Sequence, residues 1–219
     1  MRKRDEQLVE WVSDELGLDP KVRDHAIAVT AENGTVTLRG TVGTLREKRE
    51  AEKDAKRVSG VDVVDNELQV KPLVSKADAD LRGDVLGALA LDSLVPKTID
   101  AKVEGGRVTL TGIADWQYQR EEAEYVASNI VGALHVDDDI TLKPHPDLGD
   151  VKGAITRAFQ RGAKLDADNL SVQISEGMVT LEGTVGSWAE HDEALAAAWS
   201  ASGVTQVVDH VTVRHWERG

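Results

Sequence analysis

Three adjacent carboxylates, Asp137-Asp138-Asp139, form the densest group of oxygen ligands in the chain. Calcium and potassium both take such donors, so these residues are the first candidates for a metal site. Successive side chains on a strand point to opposite faces, so a strand carrying all three does not gather them unaided. The competing assignment is a charged strand edge that discourages pairing with another sheet. Asp166-Ala167-Asp168-Asn169 poses the same question and has the composition of a turn. The six histidines include no His-x-x-x-His pair, and His210 and His215 stand at odd spacing. The absence of cysteine excludes disulfides, thiolate catalysis and cysteine-held zinc. No serine, histidine and acid arrangement recurs, and no carboxylate sits in an apolar stretch that would make it a general acid. No catalytic residue and no cofactor is implied, and the chain reads as non-enzymatic.

Anionic lipid needs basic side chains near its head groups. Arg46, Lys48, Arg49, Lys53, Lys56 and Arg57 meet that need on one helical stretch, interleaved with Glu47, Glu50, Glu52 and Asp54. Alternating charges at i, i+4 equally describe a solvated, salt-bridged helix face. Trp116, Trp188 and Trp199 are the interface candidates. Trp116 and Trp188 stand at helix entrances, where an aromatic staples the incoming chain, and Trp199 lies off its helix's buried stripe, with an exposed position expected. A net charge of −13 repels phosphate backbones and argues against nucleic acid as a partner.

The elements that must position these groups come in three copies. Asn33-Gly34-Thr35-Val36-Thr37-Leu38-Arg39-Gly40 returns as Gly105 to Gly112 and as Glu176 to Gly183, at an interval of roughly 70 residues that marks a tandem repeat. In the first copy Leu8, Val12 and Leu16 predict a helix. Ile27, Val29 and Ala31 predict a strand, Asn33-Gly34 a hairpin turn, and Val36 and Leu38 the returning strand. Thr44 and Glu47 form a capping box for a second helix with Ala51, Ala55 and Val58 buried. Val64, Leu68 and Val70 predict a last strand, with Asn66 on the same face. The second copy repeats this with Leu81, Val85 and Leu89, then Ile99, Ala101 and Val103, Val108 and Leu110, Ala123, Ala127 and Ile130, and Val136, Ile140 and Leu142. The third has Val151, Ile155 and Phe159, then Leu170, Val172 and Ile174, Val179 and Leu181, a capping box from Ser187 to Glu190, Ala194, Ala198 and Ala201, and Val207, Val211 and Val213.

The glycines take structural roles in this scheme. Gly34, Gly106 and Gly177 turn the hairpins, Gly40, Gly112 and Gly183 clear the way to a helix, and Gly60, Gly132 and Gly203 end one. The fold expected is α+β: three tandem αββαβ units, each with two helices on one face of a small three-stranded mixed sheet. Boundaries fall at Lys71-Pro72 and at Lys143-Pro144-His145-Pro146, giving units 1–73, 74–145 and 146–219. No window approaches the ~20 apolar residues of a membrane span. Met1-Arg2-Lys3-Arg4 has the charge of a signal peptide's start, but Asp5-Glu6-Gln7 follows with no apolar segment. The expected place is the cytoplasm, or the periplasm or envelope had a leader been removed.

Gly34-Thr35-Val36-Thr37-Leu38-Arg39-Gly40-Thr41-Val42, with Gly60-Val61 and Asn66-Glu67-Leu68-Gln69-Val70, resembles the BON domain (bacterial OsmY and nodulation). In the later copies Asp138 and Asp209 stand where the first has Asn66. The resemblance implies non-catalytic αββαβ domains that bind phospholipid surfaces or serve envelope maintenance and osmotic stress responses. One cytoplasmic relative binds potassium. The expectation is therefore a stress-related binding or scaffold protein that meets anionic phospholipid or a protein partner. The alternative is a sensor of potassium or calcium.

Overall fold

A computed structural model of the chain describes residues 3–72, 74–143, 153, 155–157, 169–201 and 203–214. Two compact units divide it: Met1–Ala55 with Val64–Lys143, and Lys56–Val63 with Pro144–Gly219.

The second copy shows how the sequence builds the fold. Leu81, Val85 and Leu89 recur at helical spacing and are buried on α3 (Asp78–Leu91). β4 (Asp100–Glu104) runs antiparallel to β5 (Arg107–Ala114), pairing Ala101 with Leu110 and Val103 with Val108. β5 then pairs in parallel with β6 (His135–Leu142), which sets Val108 beside Val136 and Leu110 beside Asp138. A parallel pair cannot be joined by a tight turn, and α4 (Gln117–Ser128) is the crossover between them. One face of this mixed sheet, with Ala101, Val108, Leu110, Val136 and Ile140, packs with α3 and with Ala123 and Ala127 of α4 in a single core. The small alanines let α4 lie close to the sheet. Lys102, Thr109 and Asp137 are in register on the other face.

The first copy has α1 (Lys3–Leu18), β1 (Ile27–Glu32), β2 (Thr35–Val42), α2 (Leu45–Arg57) and β3 (Val63–Val70), with strand order β1-β2-β3. Leu45, at the start of α2, is buried in the second copy's core, and Val70 packs against it. The third copy has β7 (Leu170–Ser175), β8 (Met178–Val185), α5 (Trp188–Trp199) and β9 (Gln206–Val213), again with an antiparallel and then a parallel pair. Residues 153 and 155–157 are helical, and Ile155 is fully buried in the third core with Val172, Leu181, Ala194 and Ala198. The fold class expected from the sequence is the one observed. Val151, Phe159, His215, Pro144 to Pro146 and Asp166 to Asp168 lie outside the described residues.

Two glycine assignments are corrected. Gly40, Gly112 and Gly183 do not lead into helices; they lie within β2, β5 and β8. A Cβ there would stand 2.0 Å from the Ala26 carbonyl oxygen, 2.3 Å from that of Thr98 and 2.1 Å from that of Asn169. At φ of 139°, 134° and 144° the backbone adds its own penalty for any larger residue. Gly60, Gly132 and Gly203 have positive φ but stand about one turn past their helices, on the approach to the last strand. Ile130 likewise lies beyond α4, its N–H donating to the Ala127 carbonyl.

The hairpin glycines have a second duty. Gly106 and Gly177 each accept at the carbonyl from the approach to the last strand, Leu134 N–H and Thr205 N–H donating at 2.9 Å. The turns are also held from the first helix, where Asp5 accepts from Asn33 N–H and Asp78 from the N–H groups of Gly105 and Gly106. Those two bonds hold the Asp78 carboxyl below its usual range.

Substituting Gly112→Ala therefore places a methyl where a carbonyl already is, and a loss of about 3 kcal/mol is expected in urea unfolding. Gly87, with open space around it, is the control: Gly87→Ala in mid-helix leaves stability unchanged or raises it.

Candidate functional site

The inner face of each sheet carries one polar side chain, and all three make the same connection. Asn66 on β3 donates from Nδ2 to the Lys48 carbonyl at 3.0 Å and to Glu52 Oε2 at 3.1 Å. Asp138 on β6 accepts from Arg120 Nε at 2.5 Å, and Asp209 on β9 meets His191 Nε2 at 2.8 Å. The helix residue precedes the strand residue by 18 positions each time. The remaining oxygen accepts a backbone N–H two residues on, from Leu68, Ile140 or Val211. Each of these strand side chains is thus engaged in tying the second helix to the sheet.

Asp138 is therefore engaged on the inner face, while Asp137 points outward into a two-pronged contact with Arg107, 2.8 and 2.7 Å, beside His135. The Arg107 guanidinium holds the Asp137 carboxyl below its usual value. Asp139 pairs in register with Thr111 on the outer side. Among the described residues no group of three or more His, Asp or Glu side chains converges to hold a metal.

The basic stretch forms α2, and its six cations are placed differently from one another. Lys53 and Arg57 are exposed, whereas Arg46, Lys48, Arg49 and Lys56 are half-buried. Arg46 lies over the Tyr125 ring at 5.8 Å and Arg49 pairs with Glu124, both on α4. Lys56 Nζ lies 4.4 Å from the Trp188 ring centre. Much of this charge is spent within the fold, because Leu45 enters the second copy's core and brings the first turns of α2 against α4.

The tryptophans also separate. Trp116 is exposed at the N-cap of α4, where Thr44 and Ser187 cap the equivalent helices. Lacking an accepting oxygen there, α4 uses Gln119, whose Oε1 accepts from the N–H groups of Asp115 and Trp116. In the other copies Thr44 and Ser187 cap Glu47 and Glu190 as expected, and the glutamates reach back to Gly43 and Gly186. Trp188 packs edge-on against His191, ring centres 4.9 Å apart. Trp199, expected to be exposed, is half-buried, packed against the third core that includes Ala194 and Ala198.

Sequence reasoning found Asn66 and its replacements but not their partners; the recurring offset was the missed signal. Among the described residues no helix is long and apolar enough to cross a membrane. Such a structure defines a tandem array of small αββαβ modules, each locked by one helix-to-strand polar bond. The BON domain family matches residues 4–72, 77–144 and 147–215, and the chain belongs to that family.

Two curated relatives are similar to parts of it. Osmotically-inducible protein Y of Escherichia coli (strain K12) is 34% identical over 127 residues, 53% of this chain and 62% of that protein. An uncharacterized protein in the gshII 5' region of Anaplasma centrale is 30% identical over 125 residues, 54% of this chain and 83% of that one. A solved structure of CdsD, a structural protein of the type III secretion system of Chlamydia trachomatis, covers 97% of this chain and 95% of its own. Its identity is 17% and its TM-score 0.27, too low to bear on fold or function.

Removing Asp138 leaves the Arg120 guanidinium, only a quarter exposed, without its partner. Asp138→Ala should cost about 2–3 kcal/mol in chemical unfolding. Asp138→Asn should cost a comparable amount, since its single amide oxygen can accept from Arg120 or from the Ile140 N–H but not from both, and the guanidinium loses its counter-charge.

Proposed function

We propose that this chain is a non-catalytic binding and scaffold protein of the osmotic stress response, and that it meets anionic phospholipid surfaces through α2. The three copies, taken as 1–73, 74–145 and 146–219, serve as repeated supports, with function residing in what differs between them. The stress assignment rests on the family and on the likeness to an osmotically inducible relative. The non-catalytic reading is supported by the inner-face polar side chains, which hold helix to strand in every copy.

The observation carrying the lipid reading is that Lys53 and Arg57 stand exposed one turn apart on α2 in a chain of net charge −13. Near an anionic surface each contributes about 1 kcal/mol, so attachment is weak and is screened within a Debye length of about 10 Å at 0.1 M salt.

Sedimentation with phosphatidylglycerol or cardiolipin vesicles at 20 mM salt is the direct test. Wild type should pellet with them, release above about 0.3 M salt, and fail to pellet as Lys53→Glu/Arg57→Glu. Absence of pelleting at low salt removes the lipid reading. The stress reading is separate: protein abundance in its own cells should rise after hyperosmotic shift, and constant abundance would overturn it.

A further inference from the structure

The third copy fills the helix position of the recurring bond with a residue that can lose its charge. Arg120 keeps its charge at any physiological pH, and the Lys48 position contributes only a backbone carbonyl. His191 holds the same place on α5, with just 9% of its side chain exposed. Its Nε2 faces Asp209 of β9 at 2.8 Å and its Nδ1 faces Asp192 of its own helix at 3.4 Å. Trp188 covers it edge-on, and Lys56 lies on that indole ring. On the outer face of β9, His210 pairs with Glu182 and does not face this cluster.

We propose that His191 is a proton-operated latch that fastens α5 to β9, closed when the imidazole is doubly protonated and loosened when it is not. Protonated, the ring donates from both nitrogens to two carboxylates. On losing the Nδ1 proton it retains one neutral bond to Asp209, while the bare nitrogen now faces a carboxylate, acceptor against acceptor. The hydrogen bond to Asp192 raises the His191 pKa most, burial opposes it, and Asp209 raises it further. Because the folded value lies above the ordinary one, the stabilisation is complete below about pH 6.5 and is lost as pH rises through the folded value. The third copy thereby acquires a stability that falls from mildly acidic to alkaline conditions.

Hydrogen exchange of the peptide covering 188–199, corrected for intrinsic rate, reads the latch directly. In the full chain the opening constant should rise by up to about tenfold for each unit by which the pKa is raised, between pH 5.5 and 8.5. His191→Arg, which copies the second repeat, should hold it at the closed level throughout, and the double variant Asp192→Asn/Asp209→Asn, which removes both carboxylates, should make it nearly independent of pH. The imidazole titration followed by NMR, assigned by loss of its signal in His191→Gln, should lie above 6.5. Equal pH dependence in wild type and His191→Arg, or a titration at or below 6.5, overturns the proposal.

Discussion

A polar side chain on the inner face of a small sheet costs several kcal/mol unless every hydrogen-bonding atom is met. The copies accept that condition at Asn66, Asp138 and Asp209 and satisfy it with partners on the second helix and one backbone N–H of the same strand. The bond fixes the helix along the strand as well as against it. Alanine faces alone would leave that choice open, since Ala51 and Ala55, Ala123 and Ala127, or Ala194 and Ala198 offer a smooth surface with little to interlock. Strand, crossover helix and return strand are thus registered by one polar contact, around which a modest apolar core suffices.

Close backbone approach supplies the complementary constraint. Gly40, Gly112 and Gly183 let the carbonyls of Ala26, Thr98 and Asn169 come within the space of a methyl group. The first strand can therefore start tight against the central one. At the other end of the hairpin, both turn residues are left-handed in all three copies, including the non-glycine Asn33 and Glu176. Carboxylates from the first helix hold the turns in the first two copies. Sheet, turn and both helices are consequently connected by hydrogen bonds at both ends of the hairpin, which matters in copies too small to rely on apolar burial.

With the frame shared, the copies differ where they can bear specificity. The first has the basic helix, partly consumed by Tyr125 and Glu124, with Lys53 and Arg57 exposed on it. The second has an outer strand in which Asp137 is held by Arg107. The third has an imidazole where its neighbours have a guanidinium or a lysine backbone. A BON domain array built this way keeps its scaffold constant while varying the charge and titration behaviour of single positions.

The repeat, the order of elements, the buried stripes and the hairpin turns were legible in the sequence, because apolar spacing and left-handed turn residues are local properties read over a few positions. Asn66, Asp138 and Asp209 were visible as exceptions to the strand pattern for the same reason. Their partners were not: a contact between a strand and the helix 18 residues earlier depends on how far the helix slides along the sheet, which no local pattern encodes. Tertiary structure also decided that Gly40, Gly112 and Gly183 answer a carbonyl across the sheet, that Trp199 packs against the core, and that much of the basic helix is already engaged. Each depends on which groups a folded chain brings within a few ångströms, and that is set by packing between elements rather than by any one of them.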